Sequence, residues 1–224
     1  MTIYIIRHGQ TDWNLEGRLQ GHSGADLNEN GVSLAVETAQ HLADIPFDLC
    51  YTSPALRAKH TAELILAGRG VPVIEEPSLM EIGFGIWEGI QAFGKNAEIH
   101  FQPEVFQVFL YDPMAYIPPE GGESISDVLK RTNAFLDELL TAPDLQDKTI
   151  LLSTHGCASR ALMNRFYENP EKFWQEGVPG NCAVSRISVT DGVPSLTMRD
   201  HVYCQADTDD MWAKQEMRTT HEDK

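Results

Sequence analysis

Apolar positions in this chain fall into two alternating kinds of segment. Short runs at Ile3-Tyr4-Ile5-Ile6, Asp48-Leu49-Cys50-Tyr51, Val71-Pro72-Val73-Ile74 and Thr149-Ile150-Leu151-Leu152-Ser153 read as strands. Pro72 places the third near a sheet edge. Between them, Val32, Ala35, Val36, Ala39, Leu42 and Ala43 recur at helical spacing and predict a helix over 28–44, with Asn28 or Asn30 as its cap. A second helix is expected to open at Ser53-Pro54, with Ser53 as cap, and to run to about Ala67 before Gly68-Arg69-Gly70. A third starts at Ser124, with Asp127 as a capping-box-like partner, and runs to about Leu140. A fourth follows Thr154-His155-Gly156 as far as about Tyr167. Two last strands, over 183–190 and 194–202, flank the turn Asp191-Gly192, and 15–27 reads as a loop. Strands alternating with helices imply an α/β fold, a three-layer α/β/α sandwich with a mostly parallel sheet.

Residues 79–122 break the alternation. The stretch from Glu81 to Gly89 is glycine-rich and aromatic, and 92–111 looks helical in two pieces broken at Pro103. Pro118-Pro119-Glu120-Gly121-Gly122 is a rigid-then-flexible loop. We read 90–122 as a small helical cap inserted over the sheet, a surface loop with two helices being the alternative. One domain would then span 1–204, leaving 205–224 as an acidic tail, either loose or docked as a helix around Met211-Trp212.

Composition narrows the function. A chain of 224 residues suits one domain with a sizeable core. No apolar run is long enough for a bilayer and no signal-type segment opens the chain, so a cytoplasmic protein without a membrane partner is expected. Cys50, Cys157, Cys182 and Cys204 form no CxxC pair and read as free thiols. The net charge of -16 argues against nucleic acid or anionic membranes as partners. An anionic substrate would need arginines gathered locally, against that field.

Two buried strands end alike, in Ile-Ile-Arg-His-Gly at 5–9 and Leu-Ser-Thr-His-Gly at 152–156. If they are parallel neighbours, His8 and His155 face each other where ligands bind in open α/β sheets. A third strand ends at Thr52, with Arg57 one turn into the next helix, and a fourth leads to Glu81. Arg7, His8, Arg57, Glu81 and His155 would share one cleft. Taken singly, each has a plainer reading: His8 as a structural histidine at a strand end, Arg57 as a helix-surface arginine, Glu81 as a solvated loop carboxylate. Metal ligation by the histidines lacks further ligands at tight spacing, and Cys157 reads as a small packed thiol. Taken together, the set has a chemical logic. Arginine forks suit phosphate oxygens, a neutral imidazole attacks phosphorus, a second histidine stabilises equatorial charge, and a carboxylic acid protonates the leaving alkoxide. A charge pair at about 4 Å is worth about 4 kcal/mol at an effective dielectric near 20, so two arginines can reverse the overall field locally.

Arg7-His8-Gly9-Gln10-Thr11 with Asn14, Ser53-Pro54 with Arg57-Ala58 and Thr61-Ala62, Glu81 with Trp87-Glu88-Gly89, Gly122-Glu123-Ser124, and His155-Gly156 resemble the motifs of the histidine phosphatase superfamily, the phosphoglycerate-mutase-like group, in order over about 2–200. The resemblance implies a phosphohistidine enzyme with no metal and no cofactor. His8 would be the nucleophile; Arg7, Arg57 and His155 the phosphate clamp; Glu81 the general acid and then base. Asn14, Gln20 and the backbone at Gly21 and Gly156 would lie near the phosphate, with Asp12, Arg18 and Ser124 at the rim. Gln20 stands where mutases of the group usually carry Ser or Thr, and Glu81 to Gly89 lacks their Tyr- and Lys-containing segment. The chain is therefore more similar to the branch hydrolysing small phosphorylated metabolites. A cofactor-dependent phosphoglycerate mutase and a catalytically weak phosphometabolite-binding protein are the alternatives. Cys157 departs from the small residue commoner there. Specificity is expected in 84–122, where Phe84, Trp87, Phe93, Phe101, Phe106, Phe109 and Tyr111 would be mostly cap core. A homodimer is left open.

Overall fold

The computed structural model describes residues 1–92 and 103–204. The first apolar run becomes β1 (Thr2–Arg7), whose side chains alternate between the two faces of a sheet. Tyr4 and Ile6 pack with Leu34 and Ala35 of α2 (Glu29–His41) and Ala62 and Ile65 of α3 (Leu56–Ile65). Ile3 and Ile5 pack with Phe135, Leu136 and Leu139 of α5 (Ile125–Thr141) and Leu162 and Met163 of α6 (Gly156–Met163). Helices on both faces of one sheet give the expected three layers. The remaining strands are β2 (Leu49–Thr52), β3 (Val73–Glu75), β4 (Thr149–Thr154), β5 (Val184–Thr190) and β6 (Val193–His201), in the sheet order β3-β2-β4-β1-β5-β6. The first four in that order run parallel, and β5 and β6 form an antiparallel hairpin beside β1. As Pro72 suggests, β3 is an edge strand.

Local chemistry explains most element boundaries. Asn28 caps α2 by accepting from the Gly31 N–H at 2.8 Å, and Ser124 and Asp127 form the capping box of α5. Two expectations change. Residues 15 and 16, expected to open a loop, instead close a short helix, α1 (Asp12–Glu16), because Thr11 and Asn14 form a reciprocal capping box. Ser53 is not the cap of α3; Ala55 holds that position with no side-chain bond, and the Ser53 hydroxyl lies 2.8 Å from the His155 ring instead. The same oxygen also accepts from the Ala55 N–H at 3.3 Å, so it serves the imidazole and the chain entering α3 together.

Pro103 opens α4 (Pro103–Tyr111), and the first piece of the helix expected over 92–111 lies largely outside the described residues, with Phe93 and Phe101. Phe106 and Phe109 of α4 join Phe84, Trp87, Tyr116, Phe173 and Trp174 in an aromatic cluster over the site end of the sheet. Tyr111 is exposed. The acidic tail, 205–224, also lies outside the described residues. All four cysteines are buried free thiols. Among the described residues no helix is long and apolar enough to cross a membrane.

Candidate active site

β1 and β4 are parallel neighbours with Arg7 opposite Thr154, so the next residue of each strand is a histidine at the carboxyl edge of the sheet. The His8 and His155 rings stand 5.2 Å apart, centroid to centroid, at 61°. Both are buried, but their partners differ. His8 Nδ1 lies 2.7 Å from the Gly9 carbonyl. A carbonyl only accepts, so Nδ1 carries the proton and Nε2 carries the lone pair. His155 Nε2 lies 2.8 Å from Ser53 Oγ, while its buried Nδ1 has no hydrogen-bond partner. Burial, then the guanidiniums of Arg57 and Arg7, hold His8 well below the usual imidazole value, against the pull of the Gly9 bond. Burial, Arg57 and His8 do the same to His155.

Arg57, one turn into α3, is fully enclosed. It donates to the carbonyls of Ser23 (3.1 Å), Gln20 (3.3 Å) and Gly21 (2.7 Å), tying down the loop after α1. Burial lowers it to about 10, although Glu81 and Glu88 pull the other way. Arg7 donates to the Pro179 carbonyl at 2.5 Å.

Glu81 sits on an irregular segment, held from two sides. Its carboxylate accepts from the backbone N–H groups of Ile82, Cys157 and Ala158, all at 3.0 Å, and so rests on the first turn of α6. Arg131 of α5 grips the carbonyls of Ser78, Met80 and Glu81 at 2.8, 2.7 and 3.0 Å. Glu123 in turn binds Arg131 through both oxygens, at 2.9 and 3.0 Å. Burial raises the Glu123 carboxyl, but hydrogen bonds from His22 and Arg131 outweigh it and hold the group at about 2.

Arg7, His8, Asn14, Gln20 and Glu81 line a cleft together with Ile82, Phe84, Phe109, Cys157, Trp174 and Val178. Arg57 and His155 lie fully buried beneath it rather than on its surface. Asn14 and Gln20 are both tied to Thr11, whose hydroxyl lies 3.1 Å from Asn14 Oδ1 and 2.8 Å from Gln20 Oε1. The Gln20 amide nitrogen is buried with no hydrogen-bond partner. Gly21 and Gly156 mark close approaches. A Cβ on Gly21 would lie 2.3 Å from Glu88 Oε1, and one on Gly156 would lie 2.6 Å from Val178 Cγ1. Asp12, Arg18 and Ser124 do not line the cleft: Asp12 accepts from Asn28, Arg18 pairs with Glu16 and donates to the Gly89 carbonyl, and Ser124 caps α5.

Several contributors carry no signal that sequence reasoning picks up. Asn181 donates to the His8 carbonyl (3.1 Å) and to Asn14 Oδ1 (3.3 Å), linking the His8 backbone to α1. Trp174 supplies cleft wall from an irregular stretch, and Arg131 and Glu123 brace Glu81 from another helix. Glu123 falls within a recognised motif, but its partner lies eight residues on and nothing local announces the pairing. Among the described residues no three His, Cys, Asp or Glu side chains gather as a metal site would require.

The family model described as histidine phosphatase superfamily (branch 1) matches residues 3–200. A 2,3-bisphosphoglycerate-dependent phosphoglycerate mutase of Methylocella silvestris is 34% identical over 197 residues, covering 86% of this chain and 89% of that one. The solved structure of YhfR from Bacillus stearothermophilus superposes with a TM-score of 0.81 at 30% identity, covering 90% of this chain and 97% of that one. The alpha-ribazole phosphatase of Shigella flexneri gives a TM-score of 0.76 at 28% identity, over 90% and 96%.

Proposed function

Because the chain belongs to the histidine phosphatase superfamily, we propose that it is a phosphomonoesterase that hydrolyses small phosphorylated metabolites through a phosphohistidine on His8. The observation that carries this is the bond from His8 Nδ1 to the Gly9 carbonyl, which leaves the lone pair on Nε2. Nε2 attacks phosphorus and the ester P–O bond breaks. Glu81, in its acid form, gives its proton to the departing oxygen. The Glu81 carboxylate then takes a proton from water as that water attacks the phosphohistidine; the P–N bond breaks and neutral His8 returns. Arg7, Arg57 and His155 hold the phosphoryl oxygens. Arg57 does so by exchanging its backbone carbonyl partners in the 20–23 loop for phosphate oxygens. Asn14 and Gln20 bind the same group, beside the backbone of Gly21 and Gly156.

Mutase activity is the second reading, favoured by the name of the Methylocella silvestris relative. The name of the Shigella flexneri neighbour and the apolar residues lining the cleft favour hydrolysis. Incubation with 3-phosphoglycerate and 2,3-bisphosphoglycerate separates the two. Hydrolysis predicts that free phosphate outruns 2-phosphoglycerate; efficient isomerisation with little free phosphate would establish the mutase instead.

A further inference from the structure

Beyond the phosphate-binding residues and Cys157, the cleft lining is an apolar wall. Ile82, Phe84, Phe109, Trp174 and Val178 form it, and the aromatic members are firmly packed. Phe109 stands 5.6 Å from Phe84 and 5.0 Å from Trp174, edge to face in both cases. The indole N–H of Trp174 donates to the Phe109 carbonyl at 2.8 Å, so its one polar atom is satisfied by the protein. Rings locked by neighbours lose little freedom when a ligand lies against them.

The cations are elsewhere. Arg7 is the one cationic side chain among the described residues lining the cleft, at its phosphate side, with Arg57 buried beneath. Arg131 is engaged by Glu123 and three backbone carbonyls, and Arg160 by Asp200 and the Gly177 carbonyl. A carboxylate or second phosphate on the leaving group would lose its water against hydrocarbon without a described counter-charge, in a chain of net charge -16.

We infer that this cleft selects phosphate esters of apolar alcohols, best when the alcohol carries a flat ring, and discriminates against esters bearing a second anionic group. The inference rests on the phosphomonoesterase reading for its chemistry and on the wall for its selectivity.

The test uses three esters of similar alkoxide reactivity, so that leaving-group chemistry does not set the ranking: 2-phenylethyl phosphate, glycerol 3-phosphate and 3-phosphoglycerate. Their binding to the full chain carrying His8→Ala is measured by calorimetry, and their turnover by the unaltered enzyme. The phenylethyl ester should bind at least about tenfold more tightly than 3-phosphoglycerate, as expected for burying a ring. Equal or tighter binding of 3-phosphoglycerate, or binding of none of the three, would overturn the inference. The expected binding order without turnover would sink the phosphomonoesterase reading and leave the selectivity standing. Adding Val178→Lys, which brings an ammonium to the wall, should narrow the ratio by about threefold or more; an unchanged ratio counts against the proposal.

Discussion

β1 and β4 deliver the same dipeptide, His-Gly, to the same edge of the sheet, yet the two histidines are held differently. His8 is committed: its Nδ1 proton is spent on the Gly9 carbonyl, leaving one nitrogen free to attack. His155 leans on a hydroxyl, which both donates and accepts, so Ser53 permits either tautomer. The hydroxyl also lies 3.2 Å from Met80 Sδ, to which it can donate; when it donates to His155 Nε2 instead, the proton of the neutral ring sits on Nδ1, the buried atom with no partner, where it can serve a phosphoryl oxygen. One carbonyl against one hydroxyl thus fixes the tautomer of His8 and leaves that of His155 free, which suits the proposed roles of nucleophile and charge-stabilising donor. Their shared burial keeps both neutral, which suits attack by the first and tautomeric freedom in the second.

Mutagenesis sharpens that division. His8→Ala should reduce steady-state hydrolysis by at least about 10⁴-fold, because it removes the proposed site of the covalent intermediate. His155→Ala should cost about 10²–10³-fold in kcat while still forming a slow phosphoenzyme, as expected for one lost donor. Equal losses, with no phosphoenzyme in either variant, would break the distinction. Ser53→Ala should cost about tenfold, roughly the worth of one orienting hydrogen bond, and should leave the Nδ1–H tautomer of His8 visible in a ¹H–¹⁵N correlation spectrum. A change at His8 rather than His155 would reverse the assignment.

The smallest effect concerns stability. Both imidazoles are depressed below 6.5 in the folded chain. The stability they contribute is present above the unfolded value and is lost as pH falls through about 6.5, because the unfolded chain takes up protons that the buried rings refuse. The urea midpoint should therefore fall between about pH 7 and pH 5, and His155→Gln should flatten the fall. An identical slope in the variant would show that His155 is not held neutral.

What the sequence made legible was local. The apolar runs of β1 and β4, with the His-Gly that ends each, lie within eight residues, and their neighbouring placement follows from the way parallel sheets are wound. The capping box of α5 is equally local. α1 escaped notice because five residues cannot display helical periodicity and its cap uses Asn14 rather than the usual acidic partner. Ser-Pro is a strong local signal for a helix start, and Ser53 does accept from the Ala55 N–H, but its other partner, His155, lies 102 residues away and leaves no local trace. Asn181 and Trp174 lie in irregular chain, and their functional contacts are long-range: Asn181 reaches His8 across 173 positions. No periodicity or composition records such contacts. The apolar wall was only partly foreseen: Phe84 and Phe109 do line the cleft, Trp87 and Phe106 belong to the packed cluster alone, and Trp174 lay outside the expected segment.

The most direct test of the central claim is a rapid-quench experiment with a radiolabelled phosphate ester, followed by mapping of the label. The structure predicts an acid-labile, alkali-stable phosphoryl group on His8 that forms before steady state, is absent in His8→Ala, and accumulates in Glu81→Gln as water attack slows. Label on any other residue, or none at all during turnover, would contradict it.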